Sequence, residues 1–228
     1  MDTHFIRENI SRIRKNMESF PDAKLMAVVK TRTPEEIRFI LDCGITLLGE
    51  NRVQELLSHF EYLDFRAEIH FIGTLQKNKV KYIIDKVSMI ESLDSISLAA
   101  EIDRQAAKHN LHMPVLIEVN IGRESSKSGV LPEELPSFCH QIQSYENLIP
   151  SGLMTIAPIC GSAEEYSVYF SEMNRLCHIV FTSHFPQIRH PILSMGMSGS
   201  YLPALANGAD IVRIGEGIFG KRNTPVKL

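Results

Sequence analysis

The stretch Lys24-Leu25-Met26-Ala27-Val28-Val29-Lys30-Thr31 places a lysine at the end of an apolar, β-branched run. Such a run is typical of a buried strand. A lysine that loses its water there has a lowered pKa and becomes a nucleophile that can form a Schiff base with a carbonyl compound. The strand pattern alone favours a simpler alternative. In that alternative Lys30 lies just past the strand and points into solvent, because lysine is almost never fully buried.

Two glycine- and serine-rich stretches further along the chain, residues 194–200 and 213–217, are typical of an anion-binding site. Glycine lets the backbone approach a ligand, N–H groups at a helix start point at an anion, and a hydroxyl such as that of Ser198 adds a donor. The alternative is that these glycines only form tight turns. We favour an anion site because the two stretches follow the seventh and eighth predicted strands, where barrels often bind phosphate.

Two further side chains on predicted strands are candidates for a site. Arg213 lies at the end of the eighth strand. The simpler interpretation is a salt bridge or a phosphate contact, and the more specific one is a hydrogen bond to a ring nitrogen. Because arginine is always protonated, such a bond would leave the ring nitrogen unprotonated. His70 lies in the apolar run Ile69-His70-Phe71-Ile72. There a satisfied core histidine is the default, and a ring that faces a ligand is the alternative. No zinc-ligand spacing and no Ser-His-Asp pattern stands out in the sequence.

The elements that must position these residues follow a regular alternation of strand and helix patterns. After a helix over residues 2–20, eight strands alternate with helices, and eight units of this size fit a single (β/α)8 barrel over residues 1–228. An open doubly wound sheet is the alternative. In a barrel the active site lies at the carboxyl ends of the strands. The predicted strands are residues 24–30, 45–49, 68–72, 87–91, 114–121, 148–155, 191–196 and 210–215.

The composition narrows the class of protein further. The 228 residues are 44% hydrophobic and carry a net charge of -3, with a sequence pI of about 6.3. These values do not indicate a nucleic-acid partner. The four cysteines are scattered and are expected to be reduced thiols of a cytoplasmic protein. No signal peptide or membrane-length apolar run is found, so no membrane association is expected.

Seven blocks of residues, in a fixed order along the chain, form a specific signature when taken together. On these blocks the chain resembles the pyridoxal phosphate homeostasis protein family over residues 24–220. The blocks are AVVKT (27–31), GENRVQE (49–55), HFIGTLQKNK (70–79), VNI (119–121) with SKSG (126–129), GLM (152–154), SMGMS (194–198), and RIG (213–215) with IFG (218–220).

The resemblance implies a (β/α)8 barrel like the N-terminal domain of alanine racemase, with pyridoxal 5′-phosphate (PLP) held on Lys30 as an internal aldimine. It also implies the other cofactor contacts, residue by residue. They are phosphate contacts from Ser198 and from the backbone N–H groups of Gly215 and Glu216, a pyridine-nitrogen contact from Arg213, and Asn51 and His70 as neighbours of the ring.

The resemblance further implies a role rather than a reaction. Members of this family bind, buffer or deliver PLP, with effects on amino-acid and keto-acid balance, so the expected partners are PLP and acceptor apo-enzymes that require it. The protein is expected to be a monomer without a catalytic residue. Two departures concern affinity. Val29 stands where the family commonly has serine or threonine. Glu216 stands where a small hydroxyl residue is common. A glutamate there removes a hydroxyl donor and adds repulsion toward a phosphate.

Two catalytic alternatives compete with a cofactor carrier. A PLP-dependent amino-acid racemase of the alanine racemase type needs an acid or base on each face of a planar carbanion. Lys30 serves one face, and the candidates for the other are Tyr201, His70 and Lys127. Lys127 fits better as a residue that captures or passes on cofactor. A lysine Schiff-base aldolase is the third interpretation, and an aldolase would carry no yellow chromophore.

Overall fold

The computed structural model describes residues 2–63 and 66–220 of the chain. In this part of the protein, eight parallel strands pair in sequence order and the eighth pairs with the first, so the sheet closes into a barrel. This confirms the predicted (β/α)8 architecture and excludes the open doubly wound sheet. The strands are β1 (Lys24–Val28), β2 (Leu47–Glu50), β3 (Glu68–Phe71), β4 (Met89–Leu93), β5 (Met113–Glu118), β6 (Leu148–Met154), β7 (Ile192–Ser194) and β8 (Ile211–Ile214).

Helices surround the barrel, and a continuous apolar layer lies between them and the strands. Ala27 and Leu48 of the strands pack in this layer with Ile37 and Leu56 of the helices. Each fully buried leucine or isoleucine of this layer stabilises the fold by roughly 1.5–3 kcal/mol. The helices are α1 (Thr3–Met17), α2 (Pro34–Asp42), α3 (Val53–Phe60), α4 (Val80–Ile83), α5 (Ile96–Lys108), α6 (Leu135–Ile142), α7 (Ala163–His184), α8 (Tyr201–Ala206) and α9 (Glu216–Phe219).

Alternate residues of the strands point into the barrel instead of into this layer, because side chains alternate across a strand. In β1, Ala27 belongs to the outer layer, whereas Met26 belongs to an interior cluster with Leu47 and Ile211. Polar residues follow the same alternation. Ser194 of β7 donates a hydrogen bond to Glu91 of β4, and these strands are not neighbours, so the bond crosses the barrel interior. The interior is therefore apolar in one part and polar in another.

The N-terminal helix α1 braces the two helices that follow the last strands. Its buried residues Ile6, Ile10, Ile13 and Met17 recur at helical spacing and form one apolar face. Polar contacts fix its position in addition. Asn9 donates to the carbonyl of Ile218 in α9 at 3.0 Å, and Asn16 donates to the hydroxyl of Tyr201 in α8 at 2.7 Å. The predicted extra helix is thus confirmed, and it supports the loops after β7 and β8.

Several boundaries differ from the predicted ones for physical reasons. The first strand ends at Val28 rather than at Lys30, because Thr31 turns the chain with a φ of 63°. The pattern over residues 76–86 predicts one helix, whereas the chain forms a 3-10 turn (Lys77–Lys79) and then α4 alone, which buries only Val80 and Ile83. The helix start expected after the last glycine-rich stretch is the short helix α9. The sequence Thr33-Pro34-Glu35-Glu36 predicts the start of α2, which is confirmed, with Thr33 and Glu36 forming a reciprocal capping box.

Three absences apply to the part of the chain that the structure describes. None of its helices has the length and apolar character needed to cross a membrane. None of its His, Cys, Asp and Glu side chains form a group of three that could hold a metal ion. Cys43, Cys139, Cys160 and Cys177 are all free thiols.

Candidate functional site

A cavity of about 670 Å³ lies where the carboxyl ends of the strands meet. Its lining comes from residues that follow or end strands distributed around the barrel, so the fold gathers them from distant parts of the sequence. Of the predicted site residues, all but His70 line it. The lining residues are Val28, Lys30, Arg32, Asn51, Arg52, Ile72, Gly73, Thr74, Glu118, Ile156, Met197, Ser198, Gly199, Arg213, Gly215 and Glu216.

Lys30 is half-buried and stands two residues after the end of β1, at the cavity wall. The next residue, Thr31, adopts a left-handed φ of 63°, which is a strained conformation for a β-branched residue. Its backbone N–H donates to the Glu55 carboxylate of α3 at 2.7 Å. This contact holds the strained turn, and the turn carries the Lys30 side chain into the cavity rather than along the strand.

The loops after β7 and β8 meet at one side of the cavity. We call the residue pairs 198–199 and 215–216 the anion loops. The Gly217 N–H donates to the Ser198 hydroxyl oxygen at 3.0 Å, so this oxygen is used as an acceptor and its own proton is left to donate elsewhere. Among the described residues, the backbone N–H groups of Gly199 and Glu216 have no acceptor. The anion loops therefore offer several donors to a ligand.

The two glycines of the anion loops leave room that the protein does not fill. A Cβ at Gly199 would meet no atom within 4 Å, and a Cβ at Gly215 would come no closer than 3.5 Å to Val28. Neither glycine has a positive φ. Neither packing nor backbone conformation therefore requires glycine at these positions. A ligand group that occupies the open space beside Gly199 is a physical reason for the glycine there.

Arg213 is 3% exposed and presents its guanidinium to the cavity from β8. Nη1 donates to the Ser194 hydroxyl and Nη2 to the Thr155 carbonyl, each at 2.7 Å. Burial lowers the pKa of the guanidinium, and the nearby Glu91 and Glu118 carboxylates oppose that effect. A guanidinium has five N–H donors, so donors are left for a ligand in the cavity.

Two buried polar atoms on the cavity wall lack a partner within the described residues. They are Oδ1 of Asn51 and Nε of Arg32. The Arg32 guanidinium lies 4.5 Å from the ring centre of Phe219 in α9, and Nη1 is 3.6 Å from Glu36. An unpaired buried polar atom costs about 1–3 kcal/mol, so such atoms indicate a missing ligand contact. Asn51 was a predicted site residue, whereas Arg32 was missed.

His70 is a satisfied core histidine, as the strand pattern favours, and does not lie at the cavity wall, as the resemblance implied. Its ring is buried in the barrel interior and is not among the groups that line the cavity. Nδ1 is 2.6 Å from Glu91 Oε1, and Nε2 is 3.2 Å from Glu68 Oε1. The physical reason is depth along the barrel, since His70 and Ile72 face the same side of this segment, and Ile72, two residues nearer the carboxyl end, takes the place at the wall. His70 reaches the cavity only through other side chains.

Glu118, at the end of β5, is a cavity residue that the sequence analysis missed. It is 7% exposed and lines both the main cavity and an adjoining cleft of about 230 Å³ beside Ser126, Lys127 and Ser128. Burial raises the pKa of Glu118 to about 7, with Asp94 adding to the shift and Arg213 opposing it. The sequence did contain a signal for Glu118. Alternate residues of the fifth strand, Leu116, Glu118 and Asn120, share one face, so Glu118 places a carboxylate on the inner face of a buried strand.

The raised pKa of Glu118 predicts a pH-dependent stability. An ordinary glutamate has a pKa near 4.5, so the folded state retains the Glu118 proton up to about pH 7. The associated stability is fully present below pH 4.5 and is lost as the pH rises through 7. Glu118→Gln should therefore gain on the order of 3 kcal/mol in unfolding free energy over wild type between pH 5 and pH 8. Urea unfolding at both pH values measures this.

Glu146→Gln, at an exposed carboxylate, is the control for this prediction. The buried Glu50, whose pKa burial also raises to about 7, is present in all three proteins and cancels in the comparison. Equal pH dependence in wild type and Glu118→Gln would contradict the prediction.

Other polar residues near the strand ends do not belong to the cavity wall. Glu50 points outward from β2 and pairs with His59 of α3, with 2.6 Å between Oε1 and Nδ1. Tyr201, a candidate second base, directs its hydroxyl to Asn16 of α1. The Lys127 ammonium pairs with Glu124 and lies 3.4 Å from the carbonyl oxygen of Ala157.

Comparison with known proteins shows what the chain is similar to. Residues 1–223 match the family model described as alanine racemase, N-terminal domain. The pyridoxal phosphate homeostasis protein of Aquifex aeolicus (strain VF5) is 45% identical over 201 residues, which are 88% of this chain and 87% of that protein. The structure of PipY from Synechococcus elongatus PCC7942 with PLP bound has a TM-score of 0.85 and 29% identity, covering 94% of this chain and 100% of that chain.

A more distant structural neighbour supports the fold alone. Alanine racemase from Corynebacterium glutamicum has a TM-score of 0.75 at 16% identity, and the match covers 98% of this chain and 62% of that chain. The barrel is thus common to both groups of proteins, while the sequence similarity is strong only with the first.

Proposed function

Because this chain belongs to the pyridoxal phosphate homeostasis protein family, whose fold is that of the alanine racemase N-terminal domain, we propose that it binds PLP and carries, buffers or delivers it. One observation supports this above the others. Lys30, the anion loops and Arg213 line the same cavity, with open space at Gly199. A lysine, an anion cradle and a buried cation are the three features that a phosphorylated aldehyde with a ring nitrogen requires.

The residues present fit PLP group by group. When bound, PLP supplies an aldehyde that bonds covalently to amines and a ring that withdraws electrons. The Nζ of Lys30 would hold the aldehyde carbon by condensation, with the aldehyde oxygen and the two amine protons leaving as water, and Arg213 would donate to the ring nitrogen. Asn51 would use its unpaired Oδ1 near the ring. The phosphate would be held by the Ser198 hydroxyl, by the backbone N–H groups of Gly199, Gly215 and Glu216, and by the Arg32 guanidinium.

The Arg32 guanidinium also affects how a phosphate would interact with Glu216, which replaces the small hydroxyl residue common in the family. The Glu216 side chain is exposed, so solvent screens its charge from a bound phosphate. The guanidinium of Arg32, 14% exposed, adds a cation on the same wall. We propose that Arg32 offsets the repulsion from Glu216, while the Glu216 backbone N–H keeps its contact with the phosphate.

The arrangement favours a carrier over a racemase. Arg213 keeps its proton next to two carboxylates, so the ring nitrogen that it faces stays unprotonated and withdraws electrons weakly. Of the candidate second bases, Tyr201 contacts α1, His70 is in the barrel interior, and Lys127 is paired with Glu124. Glu118 is the one observation that supports a racemase, since a carboxyl group with a pKa of about 7 faces the cavity.

The proposed function is tested by offering the PLP-bound protein both an acceptor apo-enzyme and amino-acid substrates of a racemase. Incubation with the apo form of a PLP-dependent enzyme should restore that enzyme's activity. Incubation with L-alanine or L-serine in deuterated water should give little α-deuteration and no D-product. D-product at about 1 per second or faster, abolished in Glu118→Gln, would overturn the carrier and establish the racemase.

The role of Ser198 gives a prediction with a matched control. Ser198→Ala removes a hydroxyl proton that is available to a phosphate oxygen, so PLP affinity should fall about 10- to 100-fold, or roughly 1.5–3 kcal/mol for a charged acceptor. Ser200 lies in the same loop and also accepts a backbone N–H, at 3.1 Å from Met197, but it does not line the cavity. Ser200→Ala should keep its affinity. Equal affinities of wild type and Ser198→Ala, measured by absorbance titration, would contradict the phosphate assignment.

We also propose that a single cytoplasmic copy of the chain is sufficient for function. Lys30, the anion loops and Arg213 of one chain supply the amine, the N–H donors and the cation that PLP needs, and the four cysteines are free thiols, as in reducing compartments. Light scattering of the loaded protein tests the monomer. A stable dimer whose dissociation abolishes PLP binding would contradict it.

A further inference from the structure

A continuous chain of hydrogen bonds crosses the barrel from its amino-terminal end to the wall of the cavity. It begins at Glu68, whose side chain is 45% exposed, and passes through the buried residues His70, Glu91 and Ser194 to Arg213. The consecutive distances are 3.2, 2.6, 2.6 and 2.7 Å. Of these five residues, only Arg213 lines the cavity. The chain therefore connects a solvent-facing carboxylate to the proposed cofactor site.

The chemistry of the partners fixes the direction of each bond. Arg213 can only donate, and an ionised Glu91 can only accept, so the Ser194 hydroxyl accepts from the arginine and donates to the glutamate. His70 lies between two carboxylates, one at each ring nitrogen. It satisfies both only when Nδ1 and Nε2 each carry a proton, which is the imidazolium form. The proton on His70 is therefore part of the network.

We propose that His70 is a positioning residue that acts through Glu91 and Ser194 on Arg213, so that the proton on His70 controls how Arg213 faces the cofactor. This inference rests on the proposed function and names a regulation of the same site. Loss of the proton removes one of the two cationic partners of Glu91. The Glu91 carboxylate then attracts the Ser194 hydroxyl and the Arg213 guanidinium bonded to it more strongly, and the arginine donates less to the ring nitrogen.

The charged groups around His70 support the imidazolium form. Burial by itself lowers the pKa of His70, but the hydrogen bonds that His70 donates to Glu68 and Glu91, together with the charges of these carboxylates, outweigh burial and raise that pKa above its ordinary value. The bond from His70 lowers the pKa of Glu68, which Lys24 lowers further. At the other end, Arg213 faces Glu91 and Glu118, and Asp94 lies near Glu118. The network therefore holds the His70 proton to a higher pH than an ordinary histidine would.

The fold contains an internal control of the same chemistry. His59 and Glu50 are also buried and also have 2.6 Å between Nδ1 and Oε1. This pair lies between β2 and α3, outside the barrel interior, and neither member lines the cavity. A variant of His59 removes an equivalent buried imidazole without a connection to Arg213.

The first test uses the wild-type protein and needs no substitution. Nuclear magnetic resonance follows the imidazole ¹⁵N signals of His70 and the guanidinium signals of Arg213 during a pH titration, with and without PLP. Without cofactor, the Arg213 signals should change with the midpoint of His70. With PLP, that midpoint should move by at least about 0.3 pH unit, which corresponds to a twofold difference in PLP affinity between the two forms of His70. A His70 midpoint that PLP leaves unchanged would overturn the inference.

The second test compares His70→Asn with His59→Asn by the absorbance of bound PLP against pH. Asparagine keeps a donor toward Glu91 but cannot gain a proton. The transition in absorbance that tracks His70 should disappear in His70→Asn and persist in His59→Asn. A transition that persists in both would refute the inference. If PLP does not bind at all, the proposed function fails, while the Arg213 response in the cofactor-free protein still decides whether the network transmits.

Discussion

Lys30→Ala should abolish the covalent attachment of PLP and lower its affinity by about 100-fold or more, which corresponds to roughly 2.7 kcal/mol. The reason is that Lys30 is the one lysine among the groups that line the main cavity of the described chain. Without it the aldehyde has no amine partner, and only the phosphate and ring contacts retain the cofactor. The visible absorbance of bound PLP and an equilibrium titration measure the two effects separately.

Lys127→Ala is the matched control for this prediction. Lys127 lines the adjoining cleft, which shares Thr74, Glu118 and Ile156 with the main cavity, so it is near enough to serve as an alternative amine. Its pairing with Glu124 keeps it in the loop after β5. Lys127→Ala should keep the visible absorbance. If Lys127→Ala loses that absorbance and Lys30→Ala keeps it, the assignment of the cofactor lysine is wrong.

Arg213→Met should destabilise the protein by about 3–5 kcal/mol, even without cofactor. The guanidinium is fully desolvated, donates two hydrogen bonds of 2.7 Å and neutralises Glu91 and Glu118 in the barrel interior. Methionine fills a similar volume but leaves both carboxylates without this cation. It also leaves the Ser194 hydroxyl and the Thr155 carbonyl without a donor. The free energy of unfolding in urea at pH 8, where Glu118 is ionised in the wild type, measures the loss.

Arg175→Met separates the effect of burial from the loss of an ion pair. Arg175 forms two hydrogen bonds of 2.7 Å with Glu172 on α7, but its side chain is 58% exposed. An exposed pair of this kind contributes about 0–1 kcal/mol. If Arg213→Met costs no more than Arg175→Met, Arg213 is not the charge that balances the barrel interior.

The fold could be predicted because its signal is repeated. Eight apolar runs, each followed by a helical pattern, leave few alternatives to a barrel, and the errors at single boundaries did not affect that conclusion. The predicted boundaries were wrong where a contact between residues distant in the sequence decides them. The turn after β1 depends on the bond from the Thr31 N–H to Glu55, a contact between residues 24 positions apart that no local pattern contains.

The candidate site could be predicted only in part, because its members are of two kinds. Lys30, Ser198, Gly215 and Arg213 end or follow strands, and the rule for barrels places such residues at the cavity. Arg32 and Glu118 line the same cavity but were missed. Arg32 follows a turn with an unusual backbone, and Glu118 was counted as part of an apolar strand.

His70 shows that the strand pattern and the resemblance can point to different places. The apolar strand favours a satisfied core histidine, as the structure has it, whereas the resemblance implied a neighbour of the ring. Glu68 lies two residues before His70 on β3, but Glu91 lies on β4, so that second contact becomes visible only when the barrel is assembled.

The central claim, that PLP is held on Lys30 in this cavity, is tested most directly on the wild-type protein. The purified chain is saturated with PLP, reduced with borohydride, digested and analysed by peptide mass spectrometry. We expect one stoichiometric phosphopyridoxyl adduct on the peptide that contains Lys30, with visible absorbance lost on reduction. No adduct, or a stoichiometric adduct on another lysine such as Lys127, would contradict the account.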